Sequence, residues 1–242
     1  MRDKALGWRF HAETAITPVG VPADRGVPRP PLPPRFKDVE GPVFSLPAPA
    51  HRGLSVEEAL ARRRSIRVYG GRPLSLQALS QLLFAAQGAT GRYRDRLLRT
   101  APSAGALYPF EVYPVVHRVD GLPSGVYHYD VRHHRLTQVK AGDFRRTLMA
   151  AGLEQELLAE ANVVFVLAAV VDRVLFKYGQ RGWRYIYMEA GHISQNLYLQ
   201  ATSLGLGSVA VGAFFDDEVN ALIDVDGREE TTIYLHAVGV LK

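Results

Sequence analysis

Four short stretches of this sequence carry residue types that could do chemistry. Arg63-Arg64-Ser65-Ile66-Arg67 sets guanidinium forks and a hydroxyl at alternate positions. If the chain is extended there, the two-residue period puts Arg63, Ser65 and Arg67 on one side. That is a clamp for a phosphate or for the polar edge of a planar ring; at a helix end the same residues would instead complement the dipole. Ala101-Pro102-Ser103-Ala104-Gly105-Ala106-Leu107-Tyr108-Pro109 sets small residues between prolines, so backbone could approach a flat ligand closely. Taken alone, it equally describes a plain helix-to-strand connection. Lys177-Tyr178, then Arg181 and Arg184, lead into a long apolar helical pattern. Cations at a helix start oppose the dipole, so these residues are either a solvated helix start or face something anionic and reactive. Glu189-Ala-Gly-His192 has the Glu-x-x-His spacing, but a carboxylate-bridged di-iron bundle needs two copies and two further Glu. Only one copy exists. No metal is expected, and Glu189, His192 and Asn196 are expected to satisfy one another and nearby backbone.

The elements that must position these residues can be read from periodicity. Ser55-Val-Glu-Glu58 is a capping box, so a helix starts there and runs into the Arg-rich stretch. Ser75 opens a second helix, with Leu76, Leu79, Leu82, Leu83 and Ala86 at helical spacing up to Gly88. Residues 110–118, 125–129 and 134–139 are rich in β-formers with turn residues between, which predicts three adjacent strands. Asp143 opens a short helix, and 161–171 is an apolar run of the kind buried on both sheet faces. Ile186, Ala190, Ile193, Leu197, Ala201 and Leu204 form one helical stripe, and Tyr185, Met188 and Leu199 make the other sides apolar too. This helix is therefore expected to be largely enclosed by protein, with Gly205 stopping it. A strand at 208–211, a helix at 216–223 and a last strand at 231–240 follow. Strands and helices do not alternate regularly, which argues for an α+β fold.

Composition narrows the function. The 242 residues are 47% hydrophobic and include no cysteine, so disulfides, thiolate metal sites and a Cys nucleophile are excluded. No apolar run approaches the ~18 residues of a membrane span, and Met1-Arg-Asp-Lys-Ala lacks an apolar segment behind it. A soluble, cytoplasmic protein is expected. Residues 51–110 hold ten Arg against Glu57, Glu58 and Asp95, while the whole chain is only +5. Charge concentrated in this way suits one anionic ligand better than a long nucleic-acid stripe, though an Arg-rich solvated face fits equally. A basic nucleic-acid-binding protein would also need exposed interleaved aromatics, a recognition helix or a zinc module. Gly-x-Gly at 205–207 follows a helix and precedes a strand, the reverse of a dinucleotide fingerprint. No Gly-x-Ser-x-Gly, Walker A or His-Glu-x-x-His occurs. Ten of the fifteen prolines lie in residues 1–50. That segment reads as an extended arm of polyproline character, lying on the surface of a domain spanning 51–242 through Phe10, Phe36, Val43, Phe44 and Leu46.

Taken in order, Arg-Arg-Ser-x-Arg, Ala-Pro-Ser-Ala-Gly, Gln195-Asn-Leu-x-Leu and Leu-Gly-Leu-Gly before a strand resemble the FMN-dependent nitroreductase superfamily. Ser103-Ala-Gly-Ala-Leu-Tyr-Pro109, Lys177-Tyr178, Arg181-Gly-Trp-Arg-Tyr185, Glu189-Ala-Gly-His192 and Arg9-Phe-His-x-x-Thr14 look like its SagB-type branch of azoline dehydrogenases. The resemblance covers roughly residues 54–241. It implies a nitroreductase-like fold, with a mixed, mainly antiparallel sheet flanked by helices, and a homodimer with FMN at the interface. Arg63, Arg64, Ser65 and Arg67 would hold the FMN phosphate, ribityl chain and pyrimidine edge. Pro102, Ser103, Ala104 and Gly105 would approach the flavin from the other subunit, and Val211, Gly212 and Ala213 would offer backbone near N5. It implies dehydrogenation of a thiazoline or oxazoline in a modified peptide, with O2 as electron acceptor. FMN would take the hydride; Lys177, with Arg181 and Arg184 near it and partly buried, would take the proton, and Tyr178 would share that proton or position the ring. A cyclodehydratase is an implied partner. The alternative within the family is an NAD(P)H-dependent nitroaromatic or quinone reductase.

Overall fold

A computed structural model describes residues 5–50 and 52–242 of the chain; the charged start Met1–Lys4 and the boundary residue His51 lie outside the described residues. The helices are α1 (Leu6–Glu13), α2 (Val56–Arg62), α3 (Leu76–Gln87), α4 (Arg145–Ala151), α5 (Leu157–Glu160), α6 (Asp172–Tyr178), α7 (Gly182–Ser203) and α8 (Asp216–Ile223). The strands are β1 (Val43–Ser45), β2 (Ala89–Tyr93), β3 (Arg96–Arg99), β4 (Phe110–Val116), β5 (Gly125–Asp130), β6 (Arg135–Ala141), β7 (Val163–Val170), β8 (Leu206–Val211) and β9 (Glu230–Val240). Seven strands form one sheet in the order β1-β6-β5-β4-β7-β9-β8, and every ladder in it is antiparallel. Strands β2 and β3 form a separate hairpin. The architecture is the expected α+β, nitroreductase-like one.

Burial explains the layering. Strand β7 sits between β4 and β9, and its residues from Val163 to Ala169 are all buried, as an apolar run without alternation requires. Leu79, Leu82, Leu83 and Ala86 of α3 and Ile186, Ala190, Ile193 and Leu197 of α7 cover one face of the sheet. Leu148, Leu158, Val219 and Leu222 of the shorter helices cover the other. The capping box at the start of α2 is formed in both directions, with Ser55 Oγ accepting from the Glu58 N–H and the Glu58 carboxylate accepting from the Ser55 N–H. Gly205, at φ +70, ends the turn after α7.

Three expectations need correction. The N-terminal arm is not extended throughout. Residues 6–13 contain no proline and form α1, Pro22–Asp24 form one 3-10 turn, and Val43–Ser45 pair with β6 as an edge strand; the proline-dense middle and residues 46–50 are irregular. Lys177-Tyr178 is not a lead-in to the long helix but the last turn of α6. Helix α7 is not enclosed on all sides: Tyr187, Met188, Gly191, His192 and Gln195 are exposed along one face.

Candidate active site

After α2 the chain has no regular secondary structure from Arg63 to Tyr69, and Arg63 leaves the helix at φ −50, ψ 126. The Ile66 N–H donates to the Ser208 carbonyl (2.9 Å), which fastens the segment to β8. Arg63 and Ser65 both meet Tyr198 of α7. Ser65 Oγ lies 3.1 Å from the Tyr198 hydroxyl, and the Arg63 guanidinium sits 5.0 Å from the Tyr198 ring centroid. The same hydroxyl accepts from the Ala210 N–H at 2.8 Å, so Tyr198 ties the Arg-Ser stretch to the end of β8 that leads into Val211, Gly212 and Ala213. Gly212 and Ala213 are exposed, and the Ala213 carbonyl accepts from Gln155. Arg67 is exposed. Arg64 turns back to donate to the Ala61 and Arg63 carbonyls, capping the C-terminal end of α2 rather than joining the other two. Among the described residues, no carboxylate lies within ion-pair distance of Arg63, Arg64 or Arg67. The cluster is therefore free to take an anionic ligand. The ten-arginine block does not act as one patch, however: Arg99 is buried and donates to Gln87 and to the Phe110 carbonyl.

The Pro102–Tyr108 loop is a second centre. Gly105, Ala106 and Tyr108 all have left-handed φ, at 63°, 51° and 48°. Such backbone costs free energy for non-glycine residues and persists where the surroundings over-determine it. Here the Tyr108 N–H donates to Ser103 Oγ (2.8 Å), the Arg99 N–H to the Tyr108 hydroxyl (3.2 Å), and Arg96 to the Gly105 carbonyl. Gly105 leaves no room for a side chain: a Cβ there would lie 2.8 Å from the Tyr178 hydroxyl and 2.9 Å from Lys177 Nζ. The loop and the Lys-Tyr pair are thus neighbours. Lys177 Nζ stands 5.1 Å from the Tyr178 ring centroid, and that ring packs edge-on against Tyr185 at 4.9 Å. Lys177 itself is exposed, not partly buried as expected.

Arg181 and Arg184 do not face the site. Arg181 donates to the Thr14 carbonyl (2.9 Å), and Arg184 donates to Thr14 Oγ1 (2.7 Å) and to the His11 carbonyl. They hold down the end of α1, which answers the mismatch with the helix dipole: the cations are spent on a docking contact. Asp24 accepts from the Gln180 N–H at 2.7 Å and from Arg29 at 2.8 Å; Gly179, at φ +55, leaves room for that carboxylate. The arm is thereby tied to the turn between α6 and α7. Thr14→Val removes one of the two acceptors for Arg184, leaving the His11 carbonyl, and hydrogen bonds to charged groups contribute about 1.5–3 kcal/mol. Chymotrypsin is expected to cleave near Trp8 and Phe10 faster in this variant, read by gel and mass spectrometry; an unchanged cleavage rate would count against the docking role.

Sequence reasoning missed Glu189 and Tyr198. Glu189 does not pair with His192 or Asn196 as expected: His192 is exposed, and Asn196 donates to the Ala85 carbonyl at 3.0 Å. Glu189 is 3% exposed and lines a cavity of about 300 Å³ with Pro102, Ser103, Ala104, Tyr185, Met188 and His192. Burial pushes its carboxyl up to about 7, against the opposing pull of Ser103, Arg99 and Gln87. A charged residue on the buried stripe of an amphipathic helix was the available signal. A larger groove of about 510 Å³, lined by Gln81, Asn196 and Gln200 among others, contains none of the expected site residues.

The sequence matches the nitroreductase family over residues 60–240. The chain belongs to the nitroreductase family. The MJ1384 protein of Methanocaldococcus jannaschii, provisionally named a nitroreductase, is 41% identical over 82% of this chain and 98% of its own length. The microcin B17-processing protein McbC of Escherichia coli is 28% identical over 69% of this chain, which spans 62% of that protein. A solved nitroreductase-type structure from Anabaena variabilis superposes with a TM-score of 0.73 at 33% identity, covering 84% of this chain but 42% of that one. The E. coli microcin synthetase McbBCD complex, solved with truncated pro-MccB17 bound, contains the same fold (TM-score 0.62, 23% identity, 97% of this chain and 86% of that one). Family membership makes this nitroreductase relative an oxidoreductase of a group that generally uses flavin. The residues present suit such a cofactor. Arg63, Ser65 and Arg67 can meet a phosphate, and the left-handed loop at Gly105 leaves backbone free to approach a flat ring. No helix among the described residues is long and apolar enough to cross a membrane.

Proposed function

We propose that this chain is an FMN-dependent azoline dehydrogenase that converts a thiazoline or oxazoline in a modified peptide to the aromatic ring, with O2 as final electron acceptor. The observation that carries the reading is the nearness of Lys177 Nζ and the Tyr178 hydroxyl to Gly105, where a Cβ would lie within 3 Å of both, which supports grouping the small-residue loop and the Lys-Tyr pair in one site. A bound flavin supplies the two-electron acceptor for hydride. Arg63 and Arg67 hold its phosphate and pyrimidine edge, with Ser65 on the ribityl chain; Arg64 supports the clamp from the end of α2. Val211, Gly212 and Ala213 offer backbone toward its reactive edge. Lys177 takes the proton from the substrate ring carbon, and Tyr178 shares that proton or orients the ring. Pro102, Ser103, Ala104 and Gly105 wall the ring from the other side.

The two centres support a homodimer. Tyr198 belongs to the Arg63–Ser65 centre and Tyr185 to the loop centre, and thirteen residues of helix separate them by about 20 Å along the axis. Two copies facing across the exposed strip of α7 would bring one centre of each together around one flavin. Similarity to a microcin-processing protein, and to a chain of a complex carrying its precursor peptide, supports a peptide substrate and a cyclodehydratase partner. The 41% identity to MJ1384 favours a second reading, an NAD(P)H-dependent reductase of nitroaromatics or quinones.

The test is the visible spectrum of the purified protein, before and after anaerobic NAD(P)H, followed by aerobic incubation with a thiazoline-containing peptide. Flavin bands that persist with NAD(P)H, and a peptide that loses two hydrogen atoms, are expected. Prompt bleaching by NAD(P)H with an unaltered peptide would select the reductase. A protein that takes up no flavin when FMN is offered would overturn both.

A further inference from the structure

Tyr198 joins α7 to two other segments through one oxygen and one ring. Its hydroxyl accepts from the Ala210 N–H at 2.8 Å and lies 3.1 Å from Ser65 Oγ, and the Arg63 guanidinium lies over its ring, 5.0 Å from the centroid. The ring is held in turn. His236, fully buried on β9, stands nearly perpendicular to it with 4.5 Å between centroids, and His236 Nδ1 lies 2.9 Å from Ser194 Oγ. The proton between the two hydroxyls then has a definite direction. A phenol oxygen shares one lone pair with its ring, so it accepts one good hydrogen bond and donates one. The Ala210 N–H takes the accepting position, and among the described residues Ser65 Oγ is the partner left for the phenol proton. A phenol is also a stronger donor than an aliphatic alcohol, which favours the same direction. Ser65 Oγ therefore receives a proton rather than giving one, and its own O–H has no partner among the described residues. Ser65 and Arg67 are exposed, so that O–H is free to turn toward a ligand lying across the clamp.

We propose that Tyr198 is a positioning residue of the clamp: by donating to Ser65 Oγ it commits the Ser65 hydroxyl to donate to an oxygen of the bound flavin, and its ring keeps the Arg63 guanidinium beside the same ligand. The inference deepens the proposed function and rests on it for the flavin. The oxygen has two sources, a ribityl hydroxyl or the phosphate, and they share this chemistry.

Ser65→Ala removes the donor itself and should weaken FMN binding by about three- to tenfold, the range of one neutral hydrogen bond. Tyr198→Phe keeps the ring, and with it the contacts to Arg63 and His236, but removes the proton. It should weaken binding by a comparable or smaller factor, because the Ser65 hydroxyl is then free to turn away. In the Ser65→Ala background Tyr198→Phe should cost nothing further. A merely structural role would look different. The Ala210 N–H loses its acceptor in Tyr198→Phe whatever stands at position 65, so damage travelling through β8 would persist in the double variant. Tyr198→Leu, which also removes the face under Arg63, should bind FMN more weakly than Tyr198→Phe, and that extra loss should vanish in an Arg63→Ala background.

Flavin fluorescence, titrated with the full chain freed of flavin, gives these dissociation constants for FMN and for riboflavin. Losses shared by both flavins assign the oxygen to the ribityl chain; losses with FMN alone assign it to the phosphate. Neutron diffraction from deuterium-exchanged crystals of the native chain reads the hydroxyls directly and needs no variant to fold. The deuteron between the two oxygens should sit on Tyr198. Undiminished flavin affinity in Tyr198→Phe, independent losses in the double variant, or a Ser65 deuteron directed at Tyr198 would overturn the inference while the flavin reading stands. A chain that binds neither flavin overturns the proposed function and, with it, the ligand assigned to Ser65, wherever the deuteron sits.

Discussion

Lys177→Ala is expected to lower the turnover of a thiazoline peptide by about 10²-fold or more, the range spanned by loss of a positioned proton acceptor, while flavin stays bound. The argument is geometric. Lys177 Nζ and the Tyr178 hydroxyl sit at the one place where the loop has no side chain, and Gly105 leaves that gap at φ +63. The lysine makes no ion pair among the described residues, so its removal strands no carboxylate and should barely disturb stability. A loss of rate therefore reports chemistry rather than folding. Gly105→Ala should reach the same end from the opposite side, because its new methyl would press on both groups. Steady-state kinetics with the flavin spectrum recorded on the same sample provides the check. A Lys177→Ala enzyme with undiminished turnover would remove the Lys-Tyr pair from the mechanism.

The largest stability effect is expected at Glu111. Its carboxylate accepts from Arg173 at 2.5 Å and lies 2.8 Å from His128 Nε2, with all three side chains buried. Burial works to raise its pKa, but the His128 hydrogen bond and the charges of Arg173, His128 and Arg99 outweigh it and hold the carboxyl down to about 2. Arg173 also donates to the carbonyls of Pro34 (2.8 Å) and Tyr108 (3.4 Å), so the pair joins the arm, the loop, β4 and the helix that carries Lys177. Glu111→Ala leaves Arg173 buried and unpaired, a change that typically costs about 3–5 kcal/mol. For a chain of this size that lowers the thermal midpoint by roughly 6–20 °C. The pH dependence has a definite sign. A carboxyl whose folded value lies below its ordinary value near 4.5 stabilises fully above that value, and the contribution fades as pH falls toward 2. Thermal melts of the native chain between pH 5 and 2.5 should therefore fall more steeply than those of Glu111→Gln. Parallel curves would contradict the assigned role of the pair.

Where the signal was local, the sequence alone carried it. The capping box at Ser55, the stripe of α7, the limits of α8 and the unbroken apolar run of β7 are all set by neighbours a few residues away, and each appears where periodicity expects it. The ordered motifs also pointed to the nitroreductase family and its fold. Helix α6 was missed because no capping side chain marks its start at Val171. The β2–β3 hairpin was missed because its turn uses Arg94 at φ +54 where glycine would have signalled it.

Only the tertiary structure could decide what the charged residues do. Arg181 and Arg184 read as candidates for the site, yet their partners are Thr14 and His11, about 170 positions away in sequence. Glu189 read as a satisfied structural residue, yet the packing of α3, β3 and the Pro102–Tyr108 loop buries it beside a cavity with one oxygen unpaired. Arg64 left its neighbours for carbonyls at the end of α2, and Arg99 left the surface altogether. The physical reason is common to all of these. Backbone preference and amphipathic burial are set by short-range periodicity, whereas the free energy of a charge depends on the desolvation and partners that distant segments impose on it.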